Sequence, residues 1–338
     1  MADLSTEYLG LKLKSPLVVS SSPLTDSVES IQRLEAAGAA AVVLPSIFEE
    51  QLTLESNALD ADLQRGTESF SEATSFFPAY DTFRQGQDSY LELVRKAKKA
   101  ASIPVLASLN GASIGGWVNF AKEIEQAGAD ALELNTFSLP TDARIPSATI
   151  EDNLIELVRQ VKASTKIPIA VKLSPQFTSI PNLVSLLEDA GAKGVVLFNR
   201  FYQPDFDIET LEVRPTLHFS TPSELLPRLH WAAILYGNMK ADLAISGGVH
   251  SAEDVLKGIM AGAGITMMAS ALHIHGIEHI KRVLADVHYW LEKREYTSLW
   301  ETRGSLSRRS VPDTSPFDRG NYIKTLSSYS LRQTTGAF

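Results

Sequence analysis

Lys172 stands in Val-Lys-Leu-Ser-Pro, where an apolar run stops and a polar loop begins. A lysine so placed supplies either a Schiff-base nucleophile or a fixed positive charge. A stem that snorkels to solvent is the plainer alternative. Two other runs end in small residues. Ser246-Gly247-Gly248 lets the backbone approach a ligand with no side chain in between, and Ala269-Ser270 adds a hydroxyl and further amides. The remaining run ends contribute Ser20, Ser21 and Ser22, then Pro45-Ser46, Asn110-Gly111, Asn135 and Asn199. The set is rich in hydroxyls and amides, with one cation and no aspartate or glutamate clearly paired within it. Glycoside hydrolysis, which needs two carboxylates about the bond, is disfavoured. No metal centre is expected. His273 and His275 have a tempting spacing, but no acidic or cysteine ligand accompanies them, so packing or a phosphate contact is the expectation.

These residues need elements to hold them. Four times the chain closes a helical run with Ala-Gly-Ala and opens an apolar strand: at 36–44, 126–134, 189–198 and 260–268. Glycine just past a helix end takes the left-handed conformation that stops the helix. A short run of Val, Leu and Ile, apolar on both faces, suits a strand buried in a parallel sheet. Reading such runs along the chain gives strands at 17–21, 41–45, 104–108, 131–135, 167–173, 194–199, 243–247 and 265–270. Amphipathic stretches separate them. Eight alternating units predict a (β/α)8 barrel rather than an open doubly wound sheet, since Ser-Ser-Ser-Pro-Leu-Thr-Asp after the first strand is not the Gly-rich turn of the latter. In a barrel the loops after strands seven and eight are the recurrent phosphate pocket, so Ser246-Gly247-Gly248 and Ala269-Ser270 are expected to bind a phosphate.

Residues 46–88 are too long for an ordinary connection and carry Phe70, Phe76, Phe77, Tyr80 and Phe83; a lid or one wall of the site is expected there. The barrel is expected to fill 1–295, and the polar stretch 296–338 to dock on its surface as a C-terminal extension. The absence of cysteine excludes disulfides, thiolate metal sites and a cysteine nucleophile. A net charge of −9 argues against nucleic acid. No apolar run reaches the length of a membrane span and the start lacks a signal-peptide pattern, so a cytoplasmic protein acting on a small molecule is expected.

In these motifs the chain resembles the dihydroorotate dehydrogenase family of flavin-dependent barrels, above all its soluble class and their dihydroorotate dehydrogenase-like relatives. The likeness runs from about residue 5 to 290. It rests on the opening hairpin Tyr-Leu-Gly-Leu-Lys-Leu-Lys-Ser-Pro, Glu-Leu-Asn at 133–135, the Lys172 motif, Phe-Asn at 198–199, Ser-Gly-Gly-Val, and Gly-Ala-Gly-Ile-Thr-Met-Met-Ala-Ser-Ala-Leu. The resemblance implies FMN, with its phosphate on Gly247, Gly248, Ala269 and Ser270, its ring lined by Ser20, Ser21, Ser22 and Ser46, and Ser246 as a further cofactor-binding residue. It implies Lys172 at the pyrimidine edge of the flavin, worth roughly 4 kcal/mol toward the reduced anion at about 4 Å and an effective dielectric near 20. Asn135 and Asn199 would then hold the substrate, and Ser138 would stand at the position of the catalytic base. A homodimer and a separate electron-transfer partner are the expected company.

Three departures bear on the substrate. Pro45-Ser46 replaces a lysine usual after the second strand. Where the family reads Asn-x-Ser-Cys-Pro-Asn, this chain reads Asn135-Thr-Phe-Ser138-Leu-Pro140, with Ser138 for the soluble class's cysteine and Pro140 for the second asparagine. The asparagine-rich substrate loop becomes Ser-Glu-Ala-Thr-Ser-Phe-Phe-Pro-Ala-Tyr. The expected activity is hydride transfer from a dihydropyrimidine-like ring to FMN, with dihydroorotate itself a poor substrate. A Schiff-base aldolase or phosphosugar enzyme on the same barrel and a non-catalytic flavin-binding subunit are the competing readings.

Overall fold

The computed structural model describes residues 2–48, 86–111, 117–136 and 139–334. Eight parallel strands close into a barrel in sequence order: β1 (Leu17–Val19), β2 (Ala41–Phe48), β3 (Val105–Asn110), β4 (Ala131–Asn135), β5 (Ile169–Leu173), β6 (Gly194–Leu197), β7 (Asp242–Ser246) and β8 (Ile265–Met268). The eighth pairs with the first, Met267 opposite Val18. The helices between them are α1 (Val28–Ala37), α2 (Gln87–Ala100), α3 (Trp117–Ala127), α4 (Ser147–Ser164), α5 (Ile180–Asp189), α6 (Leu225–Leu235) and α7 (Ala252–Ala261), and α8 (His279–Lys293) follows β8. The alternation read from the sequence is thus realised as the (β/α)8 barrel. The glycines of all four Ala-Gly-Ala junctions, Gly38, Gly128, Gly191 and Gly262, have φ between 99° and 122°, as helix-stopping residues require.

Alternation along each strand sorts its side chains. In β4, Leu132 and Leu134 join the large apolar layer between strands and helices, whereas Ala131 joins the barrel's interior cluster. Glu133 and Asn135 share the face of Ala131 and point inward with it. The interior is apolar near the strand starts, with Val18, Ala41, Leu106, Ala170, Val196, Ala244 and Ile265. Towards the strand ends it turns polar, with Ser20, Ser108, Glu133, Asn135, Lys172 and Ser246 all buried. That gradient sets chemistry at the C-terminal mouth and a packed plug at the other end.

The plug is the antiparallel hairpin of Thr6–Tyr8 and Leu11–Leu13. Its Tyr8, Leu9 and Leu13 are buried in the interior cluster. Leu9 and Gly10 turn the hairpin with φ of 57° and 80°, a tight turn with both central residues left-handed. The segment after α8 returns over the same end of the barrel: Gly304 and Leu306 donate backbone bonds to Ile259 and Met260 of α7, and Arg308 to Ala233 of α6. Asp3 and Leu299 bond across the two ends of the chain. A final helix, α9 (Asn321–Thr334), follows. Between β6 and α6, residues 205–214 form a small hairpin. The expected lid lies outside the described residues for 49–85.

Two elements differ from their sequence reading. The last strand ends at Met268 rather than at 270: a short helix, Ser270–His275, follows it, and Gly276 at φ 81° separates that helix from α8. β2 also runs on to Phe48, with an irregular register between Val43 and Ser46, so Pro45 lies inside the strand at a bulge and not after its end.

Candidate functional site

Strand β5 and the loops after β1, β6, β7 and β8 converge on one cavity at the C-terminal mouth. It is lined by Ser20, Ser21, Lys172, Asn199, Arg200, Tyr202, Ser220, Ser246, Gly247, Gly248, Val249, Met267, Ala269 and Ser270. Nine residues singled out from the sequence therefore meet in one place: Ser20, Ser21, Lys172, Asn199, Ser246, Gly247, Gly248, Ala269 and Ser270. Ser22, Ser46 and Asn135 lie beside the cavity lining rather than in it. The Ser22 hydroxyl accepts from the Leu24 N–H at 3.3 Å and caps a turn. Ser46 bridges the hydroxyls of Ser21 (3.4 Å) and Ser108 (2.7 Å). Asn135 accepts from the Asn199 side-chain amide at 2.8 Å, so the two predicted substrate residues form one amide pair. Ser138 lies outside the described residues.

Lys172 is the buried cation that its motif suggested. Its ammonium donates to Ser20 Oγ at 3.4 Å and to Glu133 Oε1 at 3.3 Å. Glu133 is fully buried, and its other oxygen, Oε2, has no protein partner. The sequence expectation of no paired carboxylate at the mouth is corrected here: Glu133 and Lys172 are an ion pair with almost no solvent on either side. The missed signal was in the strand alternation, for Glu133 precedes the inward-facing Asn135 by two and Asn135 registers beside Lys172. Glu133 is also one of the charges that, with burial, push the hydroxyl of Tyr8 well above its usual range.

Arg228 was missed for a different reason. From α6 its guanidinium reaches back to the Ser246 carbonyl through Nε and to the Glu224 carbonyl through Nη1, and it is buried. Gly247, at φ 95°, makes room for it: a Cβ there would lie 2.7 Å from Arg228 Nη2. Gly248, at φ 79°, faces the start of α6, where a Cβ would come 2.4 Å from the Leu225 backbone nitrogen. Sequence reasoning gave both glycines to ligand approach, but protein packing also requires them. On the far side of the loop, Ser270 Oγ accepts from the Ser220 N–H at 3.0 Å, and Ser220 Oγ lies 3.3 Å from His250 Nε2. His273 stacks on Phe219 with 5.5 Å between ring centres, and His275 lies 4.9 Å from His279.

Arg200 brings a second cation to the lining. Glu224 accepts from its Nε and Nη2 at 3.1 and 3.2 Å, the His218 carbonyl takes its Nη1, and its guanidinium lies 5.4 Å from the Tyr202 ring centre. The lining thus offers two cations, several hydroxyls, an amide and glycine backbone, and no carboxylate. That donor set suits an anionic, heavily hydrogen-bonding ligand of extended shape, as FMN is.

The chain belongs to the dihydroorotate dehydrogenase family, whose model matches residues 3–291. It is accordingly a flavin-dependent oxidoreductase that acts on CH–CH groups with FMN as cofactor. The chain is 26% identical to the catalytic subunit of dihydroorotate dehydrogenase B (NAD(+)) of Thermoplasma acidophilum, over 91% of this chain and 100% of the other. Its counterpart in Methanocaldococcus jannaschii is also 26% identical, over 87% and 95%. The chloroplastic dihydropyrimidine dehydrogenase (NADP(+)) of Arabidopsis thaliana is 22% identical over 89% of this chain and 76% of the other.

Proposed function

We propose that this chain oxidises a dihydropyrimidine-like ring and that dihydroorotate is a poor substrate for it. The observation that carries the reading is the single cavity lined both by Lys172 and by the loops after β7 and β8. Ser246, Gly247, Gly248, Ala269 and Ser270 would hold the FMN phosphate, and Ser20, Ser21 and Lys172 would border the ring. When bound, FMN supplies the hydride acceptor. Lys172 then provides a positive charge beside the position where reduction gathers negative charge, and the Asn135–Asn199 pair orients the substrate amides. Ser138, three residues past Asn135 in the sequence, remains the proposed base; a serine needs a relay or an acidified substrate to act so.

The ion pair with Glu133 favours Lys172 as a fixed charge over a Schiff-base nucleophile, since a nucleophilic lysine must be freed of its proton. Pro140 and the segment 71–80 withhold two amides that a polar ring would need, and each unpaired group costs about 1–3 kcal/mol. The resulting loss in specificity is on the order of thirty- to many-thousandfold. Relatives named as catalytic subunits favour a separate electron-transfer partner for this chain too. A homodimer in the cytoplasm belongs to the same reading. Among the described residues no helix is long and apolar enough to cross a membrane.

Purified protein should show the absorbance bands of FMN. Anaerobic titration with micromolar dihydroorotate should bleach them slowly or not at all, and dihydrouracil should bleach them faster. Rapid bleaching by dihydroorotate would overturn the substrate assignment, and a colourless protein that takes up no added FMN would overturn the site.

A further inference from the structure

A second cavity, of about 450 Å³, opens at the opposite end of the barrel, beside the first residue of β7. Its size falls in the range of small-molecule sites. The α6–β7 connection contributes Tyr236 and Lys240, β7 contributes Asp242, and the segment after α8 contributes Arg303, Arg309 and Ser310. Three cations therefore face one carboxylate, a surplus of two positive charges in a chain whose net charge is −9. The carboxylate is already engaged, since Asp242 Oδ2 accepts from the Leu9 N–H of the hairpin plug at 2.8 Å. No ion pair joins Arg303, Arg309 or Lys240 to a carboxylate among the described residues.

The cations are held as a ligand site needs them. The Arg303 guanidinium lies 4.7 Å from the ring centre of Trp300 and 5.8 Å from that of Tyr236, and its Nε donates to the Gly262 carbonyl at 3.2 Å. Aromatic neighbours and one hydrogen bond fix its plane and leave its terminal nitrogens for another acceptor. Arg309 crosses Gly237, where a Cβ would fall 2.6 Å from its Cδ, and donates to the Gly237 carbonyl at 3.3 Å. Lys240 is exposed at the rim. Burial pushes the Arg303 pKa down, so an anion against it would relieve a desolvated charge.

We propose that this cavity binds a phosphate-bearing small molecule, whose negative charge meets the positive surplus of Arg303, Arg309 and Lys240. The site is separate from the flavin cavity and from the reading given to it, for Asp242 and Ser246 stand at opposite ends of the same strand. Inorganic pyrophosphate and a nucleoside diphosphate share the recognised chemistry, and Tyr236 adds an aromatic face that only the second could use.

Isothermal titration of the FMN-loaded full-length protein with pyrophosphate and with ADP tests this, because bound FMN fills the other phosphate site. Saturable binding is expected, weakened about tenfold or more in Lys240→Gln/Arg309→Gln at unchanged FMN content. Tighter binding of ADP than of pyrophosphate assigns a nucleotide, and equal binding assigns a simple phosphate. Should the double variant fail to fold, Lys240→Glu, at an exposed side chain, must weaken binding by itself. No saturable binding of either probe, or binding that these variants leave unchanged, overturns the proposal.

Discussion

Glu133 and Lys172 sit 3.3 Å apart with almost no solvent on either, where two unit charges attract by about 5 kcal/mol at an effective dielectric near 20. Much of that attraction offsets the burial of both ions, so the pair is better seen as a fixed electrostatic setting than as a source of stability. The carboxylate also dilutes the positive charge that Lys172 presents to a bound flavin. Glu133→Gln keeps the shape and an acceptor for the ammonium but removes the compensating charge. The flavin midpoint potential should then rise by a few tens of millivolts, the equivalent of about 1–2 kcal/mol for two electrons. Spectroelectrochemical titration of the FMN-loaded variant reads this directly. An unchanged or lowered potential would remove Lys172 from the flavin edge or Glu133 from control of it.

At the scale of elements, the loop after β7 is shaped as much by α6 as by any ligand. A side chain at Gly248 meets both a left-handed backbone and the Leu225 backbone nitrogen at 2.4 Å. Such a conformation costs a non-glycine residue about 1–2 kcal/mol, and overpacking adds about 1–3. Gly248→Val should therefore lower the melting temperature of the flavin-free protein as well as its FMN retention. Calorimetry of the apoprotein separates the causes, since a normal melting temperature with lost FMN would return Gly248 to ligand contact alone. Much of this architecture was legible beforehand, because helix-stopping glycines and runs of Val, Leu and Ile are local signals. Gly38 and Gly262 mark helix ends, and the strands were found to within a few residues. Partners distant in sequence were not legible. Lys172 pairs with a residue 39 positions away, and nothing around Arg228 in Leu-Leu-Pro-Arg-Leu-His-Trp shows that its guanidinium turns to the Ser246 carbonyl. The short helix Ser270–His275 was not legible, because Ala269-Ser270 reads as the continuation of the last strand's run.

For the molecule as a whole, the segment after α8 matters because it clasps the barrel. Its turn at Ser315–Phe317 brings Phe317 to 6.1 Å from the His230 ring, which also meets Trp231 edge-on at 5.6 Å. Burial lowers the pKa of His230 below the ordinary histidine value of 6.5, and burial likewise lowers that of His250 beside the Ser220 hydroxyl. The unfolded chain thus takes up protons at these two side chains before the folded one does. Stability from keeping them neutral is fully present above about pH 6.5 and is lost as pH falls through their folded values. The melting temperature should accordingly decline from pH 7 to pH 5. His230→Phe keeps an aromatic ring against Trp231 and Phe317 but cannot titrate, so its decline should be shallower, with the His250 share left in place. Thermal melts of both proteins across that interval, at constant ionic strength, decide the point. Parallel curves would mean that the contact between His230 and the C-terminal segment does not sense protons, and a steeper curve for the variant would reverse the sign assigned to it.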